Sequence, residues 1–80
     1  MKIDILTLEK TLFSSEAKSV IVPGINGQFE MLTNHAPLVS ILQKGTIHIT
    51  DTDNKKNHIN IASGSIEISN NNIIILADTE

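Results

Sequence analysis

This chain contains no cysteine among its 80 residues. Disulfide bonds, thiolate metal sites and a cysteine nucleophile are therefore excluded, and the absence fits a reducing compartment. Aromatic side chains are nearly absent too, since Phe13 and Phe29 are the only two. Isoleucine is used heavily instead, and its β-branched side chain favours strands and packs well on a pleated sheet.

An excess of positive charge is also missing. The chain has 6 basic and 9 acidic residues, which gives a formal net charge of −3. Nucleic-acid binding and attachment to anionic lipid both need clustered lysine and arginine, so we expect neither. The longest apolar run, residues 73–77, is far shorter than the roughly 20 residues that a membrane-spanning helix needs. We therefore expect any membrane association to come through a partner.

Alternating apolar residues predict two hairpins in the second half of the chain. Ile47 and Ile49 share one face of a strand, and Ile59 and Ile61 share one face of the next, with a polar loop at 51–57 between them. This arrangement predicts an antiparallel pair with one wet face, which carries His48 and His58. A second hairpin is predicted between residues 66–68 and 73–77, across three consecutive asparagines at 70–72.

The first half of the chain is read as short strands separated by turns. A change of face near Leu6 predicts a bulge or a bend, and residues 20–22 predict a short strand that ends at Pro23-Gly24. Residues 9–16 fit at most one helical turn. Turns are predicted at Asn26-Gly27, at 34–37, at Lys44-Gly45 and at 63–65, because Gly, Asn and Pro favour turn backbones.

Together these signals predict one all-β domain, a small β-sandwich or barrel of about eight to ten short, mostly antiparallel strands. Its predicted core is aliphatic and comprises Ile5, Val20, Val22, Ile47, Ile49, Ile59, Ile61, Ile66, Ile68 and Leu76.

No segment has the pattern of a catalytic or cofactor site. Residues 44–46 have the wrong order for a phosphate loop, and residues 24–27 lack the third glycine of a dinucleotide fingerprint. Residues 51–54 have the opening spacing of a calcium loop, but Lys55 and Lys56 then occupy key positions, so a hairpin tip is expected. His48 and His58 could attract stray zinc or nickel, yet two ligands without a third make no dedicated site. His35 either contacts a partner or caps its turn.

Four segments are informative when they are taken in their order and spacing: Val22-Pro23-Gly24, Gly27-Gln28-Phe29, Asn34-His35-Ala36-Pro37-Leu38 and Ala77-Asp78-Thr79-Glu80. Together they resemble the N-terminal domain of the epsilon subunit of F-type ATP synthases, over essentially the whole chain. The chain departs from the family where Gln28 replaces a frequent Glu, and where Thr33-Asn34 replaces Pro-Gly. Asn34 can still adopt the left-handed backbone that glycine would supply.

The resemblance implies a β-sandwich that is a non-catalytic subunit of the rotor stalk, without a cofactor. Such a subunit joins the gamma subunit to the polar loops of the membrane c-ring, couples proton transport to ATP synthesis, and reaches the catalytic alpha/beta head only indirectly. It would be peripheral, on the cytoplasmic face of the bacterial inner membrane. By resemblance, the gamma-facing residues are Thr7, His35, Ala36 and Pro37. The ring-facing turn is Ile25, Asn26, Gly27 and Gln28.

Family members usually continue into a helical hairpin that restrains ATP hydrolysis. We expect that hairpin to be absent here, and we expect no inhibition through it. The alternative function is a β-sandwich adaptor module of another complex, which would have the same fold and the same lack of catalytic residues.

Overall fold

The computed structural model describes residues 1–79, and in that range the chain forms eight strands. Their bounds are β1 Lys2–Leu6, β2 Thr11–Gly24, β3 Gly27–Leu32, β4 Leu38–Leu42, β5 Gly45–Asp51, β6 Lys56–Ile61, β7 Ser63–Ser69 and β8 Asn72–Asp78. No helix occurs among these described residues, so none of them belongs to a helix long and apolar enough to cross a membrane. The all-β prediction is confirmed.

The strands form two layers that share β2. The first layer has the order β1-β8-β7-β4, and the second contains β3, β5 and β6. Residues 11–16 of β2 pair with β1, while residues 17–24 pair with β5, β3 and the end of β4. The pairs are antiparallel except β1–β8, which is parallel. One long strand therefore closes the sandwich by passing from one layer to the other.

The strand β2 is longer than the sequence pattern predicts. The predicted strand covered residues 20–22, whereas the observed one begins at Thr11 and absorbs the segment that fitted a helical turn. Its first half carries Ser14, Ser15 and Glu16, which show no clean apolar alternation. Pairing with β1 makes this segment a strand, and a register shift between Ala17 and Ser19 lets it change partners. The predicted bulge near Leu6 is confirmed by a register shift between Ile5 and Leu6.

The two predicted hairpins are confirmed. His48 lies opposite His58 in β5–β6, and Ile68 lies opposite Ile73 in β7–β8. The second hairpin turns through Asn70 and Asn71, whose φ angles are 51° and 61°. A two-residue turn with positive φ at both positions matches the twist of the strands, and asparagine tolerates that backbone better than most residues.

The turn between β2 and β3 is displaced by one residue from its prediction. Gly24 pairs with Gly27, so the turn consists of Ile25 and Asn26 rather than Asn26 and Gly27. Gly27 supplies the positive φ, at 124°. Asn34 has a φ of 67°, so the expected left-handed backbone at that position is confirmed.

The segment 63–65 is not a turn, contrary to its prediction. It begins β7, and a Cβ atom on Gly64 would lie 2.5 Å from the backbone oxygen of Leu76. Glycine is required there because β7 and β8 approach closely, not because the chain reverses.

Inward-facing aliphatic side chains from both layers fill the core. The fully buried set comprises Ile3, Ile5, Ala17, Val20, Val22, Met31, Leu42, Ile47, Ile49, Ile61, Ile66, Ile68, Ile73, Ile75 and Ala77. Of the predicted core, Leu76 was wrong because it points outward and is 54% exposed. Ile59 only packs at the margin of the core. The error arose because residues 73–77 are apolar on both faces of β8, so alternation alone does not reveal which face is buried.

Candidate functional site: an apolar outer face

The outer face of the first layer carries four exposed aliphatic side chains, on the two strands that flank β7. Val39 and Ile41 point outward from β4 with exposures of 72% and 56%, and Ile74 and Leu76 point outward from β8 with 41% and 54%. Glu67 and Ser65 of β7 lie between the two pairs on the same face. Exposed apolar side chains gathered on one face and mixed with polar residues are typical of a surface that binds a partner. These four side chains, which we call the apolar face, are the main candidate for a binding surface.

The strand register places the apolar face in two rows. Val39 and Ile74 both pair with Glu67 of β7, and Ile41 and Leu76 both pair with Ser65. Adjacent strands lie about 4.8 Å apart, so the side chains of each row span about 10 Å. Leu76 also pairs with Leu6 of β1, which extends the second row to the neighbouring strand.

A fully exposed leucine stands at one corner of this face. Leu8 lies in the turn between β1 and β2 and is 102% exposed. Thr7 shapes that turn, because its hydroxyl donates to the Lys10 carbonyl at 3.2 Å and accepts from the backbone N–H groups of Glu9 and Lys10 at 3.3 and 3.2 Å. The hydroxyl of Thr7 is thus used within the turn, where it holds Leu8 outward.

The loop with His35, Ala36 and Pro37 lies at the other end of the layer. It precedes Leu38, which pairs with Ile68 beside the β7–β8 turn, whereas Thr7 follows Leu6 at the opposite end of β8. Five residues of strand separate the two ends, or about 17 Å. The structure therefore does not bring Thr7 and His35 together. It places them beyond opposite ends of the apolar face.

Two asparagines hold the His35 loop in place. The side-chain carbonyl of Asn71 accepts from the Asn34 N–H at 2.7 Å, and Asn71 Nδ2 donates to Asn34 Oδ1 at 2.9 Å. His35 Nδ1 lies 2.7 Å from the Ala36 carbonyl, which can only accept. This contact is compatible with a role for His35 in its own turn, and its contact with a partner stays a prediction.

The four residues of the predicted ring-facing turn sit together at the β2–β3 hairpin tip. Ile25, Asn26, Gly27 and Gln28 are all exposed, and Ile25 is 57% exposed. The Ile25 N–H donates to the Ile41 carbonyl at 3.1 Å, so this tip adjoins the apolar face. The tip and Thr7 lie at the same end of the first layer. Thr7 is beside the β1 edge of that layer, whereas the tip is beside its β4 edge.

The described residues, 1–79, show neither a buried polar side chain nor a group of three or more potential metal ligands. The calcium-loop reading of residues 51–54 also gives way to the expected hairpin tip. Asp51 Oδ1 accepts from the backbone N–H groups of Asp53 and Lys55, both at 2.9 Å, so its carboxylate shapes the turn.

The sequence prediction missed every member of the apolar face. Val39, Ile41 and Ile74 were assigned no role, and Leu76 was placed in the core. The available signal was an excess of apolar residues, since residues 73–77 and 38–42 carry more than one buried face requires.

Comparison with known proteins identifies similar domains. Residues 1–80 match the family described as ATP synthase, Delta/Epsilon chain, beta-sandwich domain. An ATP synthase epsilon chain from Chlorobaculum tepidum is 41% identical over 76 residues, which are 95% of this chain and 86% of that protein. One from Helicobacter pylori is 40% identical over 78 residues, which are 98% of this chain but 63% of that protein.

Two solved structures share the fold. A chain in the Euglena gracilis mitochondrial ATP synthase superimposes with a TM-score of 0.87 at 16% identity, covering 94% of this chain and 48% of that one. A chain in the central stalk and c-ring of the Tetrahymena thermophila mitochondrial ATP synthase gives 0.77 at 13% identity, covering 98% and 63%.

Proposed function

Because this chain belongs to the family of the ATP synthase delta/epsilon β-sandwich domain, we propose that it is a non-catalytic subunit of the central stalk of an ATP synthase. In this role it joins the gamma subunit to the c-ring and couples proton transport to ATP synthesis. It is then attached to the membrane through the complex, on the cytoplasmic face of a bacterial inner membrane. A rigid β-sandwich suits a mechanical role of this kind, since torque is transmitted through interfaces rather than through a pocket.

The apolar face is the observation that supports this proposal most directly. Seven large apolar side chains are exposed among the described residues, and four of them, Val39, Ile41, Ile74 and Leu76, share this one outer face. Permanent interfaces have apolar centres and polar rims. We assign this face to the centre of the gamma interface.

The predicted gamma-facing residues fit the rim of that interface. Thr7 lies beyond one end of the apolar face and His35, Ala36 and Pro37 lie beyond the other, so a partner that covers the face would reach both groups. In this arrangement Thr7 acts by presenting Leu8, whose complete exposure makes it a candidate anchor for a pocket on gamma.

We assign the β2–β3 hairpin tip to the polar loops of the c-ring. Its four residues are exposed and project beside Ile41 rather than over the apolar face. Asn26 and Gln28 are neutral and polar, so this contact rests on amide hydrogen bonds rather than on the salt bridge that a Glu at position 28 would allow.

The gamma assignment is tested by binding between this chain and the gamma subunit of the same organism. Ile41→Glu places a charge within the apolar face and should weaken the complex about 100-fold, because an unpaired charge is costly to bury. His58→Glu introduces the same side chain on the outer face of the second layer and should leave the affinity within about twofold. Calorimetric titration measures both variants, and circular dichroism checks that each is folded.

Equal affinities for the two variants would remove the apolar face from the interface. If the unmodified chain, well folded, formed no complex with gamma at all, the stalk role would fail and the adaptor alternative would replace it.

The ring assignment is tested by cross-linking. Because this chain contains no cysteine, an introduced cysteine is the only one in it that can form a disulfide. Gln28→Cys in the assembled synthase should form a disulfide with a cysteine placed in the polar loop of the c subunit. The matched control is Asn54→Cys at the tip of the β5–β6 hairpin, which should give no cross-link. A product from the control alone would reverse the proposed orientation.

A further inference from the structure

Two histidines face each other on the outer surface of the second layer. His48 of β5 lies directly opposite His58 of β6, both side chains are exposed, and their ring centroids are 6.5 Å apart with an angle of 40° between the ring planes. The function proposed above makes no use of this pair, because it lies on the layer opposite the apolar face.

The hydrogen-bond pattern of the hairpin brings these two side chains close. The Asp51 N–H donates to the Lys55 carbonyl, which marks that pair as hydrogen-bonded. Hydrogen-bonded and non-hydrogen-bonded residue pairs alternate along an antiparallel ladder. The next pair, Thr50 and Lys56, is therefore non-hydrogen-bonded. The pair of His48 and His58, two residues further on, is of the same type. Side chains approach more closely in pairs of this type.

This spacing suits chelation of one metal ion. A cation bound about 2.0–2.1 Å from one nitrogen of each ring sets the ring centroids about 5 Å apart at a tetrahedral angle. The observed 6.5 Å is wider by about 1.5 Å, a change that small side-chain rotations of exposed rings supply without moving the backbone.

The surrounding side chains leave the pair as a two-ligand site. On one side the Thr46 hydroxyl donates to Asn60 Oδ1 at 2.7 Å, and on the other lie Thr50 and Lys56. Ile21 of β2 pairs with His48 on one side and with Glu30 of β3 on the other, so Glu30 lies two strands, or about 10 Å, from His48. The Glu30 carboxylate also accepts a hydrogen bond from the Ser19 hydroxyl at 2.6 Å. Residues 1–79 contain no cluster of three or more potential ligands, so the pair offers a cation two protein ligands.

We propose that His48 and His58 chelate a single divalent transition-metal cation as an open, two-ligand surface pair, which differs from the closed sites with three or four protein ligands that are dedicated to one metal. Imidazole suits Zn²⁺, Ni²⁺ and Cu²⁺, and the general affinity order of such sites places Cu²⁺ first. The bound ion links β5 to β6. Strand β6 lies at one edge of the second layer.

Calorimetric titration of the chain with CuCl₂ in a non-coordinating buffer tests this site. The unmodified chain should bind one ion. His48→Asn and His58→Asn should each lose about 100-fold in affinity, because a chelate becomes a single imidazole. The double variant should lose binding at this pair altogether, because neither imidazole ligand is left. The matched control is His35→Asn, which changes the remaining histidine at the far end of the first layer and should bind like the unmodified chain.

A thermal readout follows the same variants. The Tm of the unmodified chain should rise with CuCl₂, since a ligand that binds only the folded state stabilises it. The Tm of His48→Asn should not rise at the same concentration. The proposal is overturned if either single variant keeps its affinity within about threefold, or if His35→Asn loses as much as the other two.

Binding to gamma separates this site from the stalk function. If the site exists and the apolar face docks on gamma, CuCl₂ leaves the gamma affinity of the unmodified chain unchanged. The metal site stands or falls on the calorimetry of the isolated chain, whereas the stalk role depends on the gamma titration.

Discussion

The outer faces of the two layers differ although both cover the same core. The first layer exposes Val39, Ile41, Ile74 and Leu76 on either side of Glu67, whereas the second exposes one large apolar residue, Leu32, among Glu30, His48, Lys56 and His58. A two-layer sandwich requires only that the inner faces be apolar, so the polarity of an outer face reports on what covers it. The difference supports the proposal that a macromolecular partner covers the first layer rather than the second.

The largest expected effect separates the inner and outer faces of one strand. Ile75→Ala removes a fully buried side chain from β8 and should lower the free energy of unfolding by about 2–5 kcal/mol. Leu76→Ala, its neighbour on the outer face, should change it by no more than about 0.5 kcal/mol while weakening the gamma complex. Urea denaturation measures the first effect and gamma titration the second. Similar losses of stability in both variants would contradict the assigned faces.

A close approach between β7 and β8 gives the next effect, again in the first layer. Gly64→Ala puts a methyl group against the Leu76 carbonyl, a backbone atom that no rotamer change moves away, and should destabilise the fold by about 1–3 kcal/mol. Ser63→Ala removes a hydroxyl that donates to Asp78 Oδ2 at 3.1 Å between the same two strands, and its effect should stay within about 0.5 kcal/mol. Denaturation midpoints of the two variants decide whether close packing, rather than turn formation, requires the glycine.

Loss of the hydrogen bonds between the side chain of Asn71 and Asn34, which hold the His35 loop, should have a smaller effect on stability. Asn70 and Asn71 share a positive φ, but only Asn71 exchanges side-chain hydrogen bonds with Asn34. Asn71→Ala should therefore destabilise the chain by about 1 kcal/mol more than Asn70→Ala does, since the backbone strain is common to both. Equal urea denaturation midpoints for the two variants would show that these hydrogen bonds do not stabilise the fold.

The smallest effect is expected on the outer face of the second layer. Thr46→Val removes the exposed hydrogen bond to Asn60 but keeps a β-branched side chain, so stability should change by no more than about 0.5 kcal/mol and gamma affinity should not change. A loss of gamma binding in this variant would mean that the partner covers the second layer as well, and the contrast between the two faces would disappear.

Local sequence patterns were sufficient for the two C-terminal hairpins. In the β5–β6 hairpin, alternation at Ile47, Ile49 and Ile61 defines the inward side. In the β7–β8 hairpin, asparagine supplies the positive φ of the turn. Both signals lie within a few residues, so no knowledge of distant contacts was needed. The bulge near Leu6 was predictable for the same reason.

The candidate binding surface was only partly predictable. The residues 25–28 form one exposed tip, as the resemblance implied, but Thr7 and His35 proved to lie at opposite ends of the first layer. Their separation depends on strand direction, because β1, β8 and β4 all run the same way across that layer. Strand direction follows from which strands pair, and distant segments decide that pairing.

The sequence by itself determined that this chain is an all-β domain with an aliphatic core, since side chains alternate between the two faces of each strand. Only the tertiary structure decided that Ile75 is buried while Leu76 is exposed, and that Gly64 lies under a neighbouring strand. An apolar residue is buried where a second layer covers it. That covering layer is assembled from residues far away in the chain.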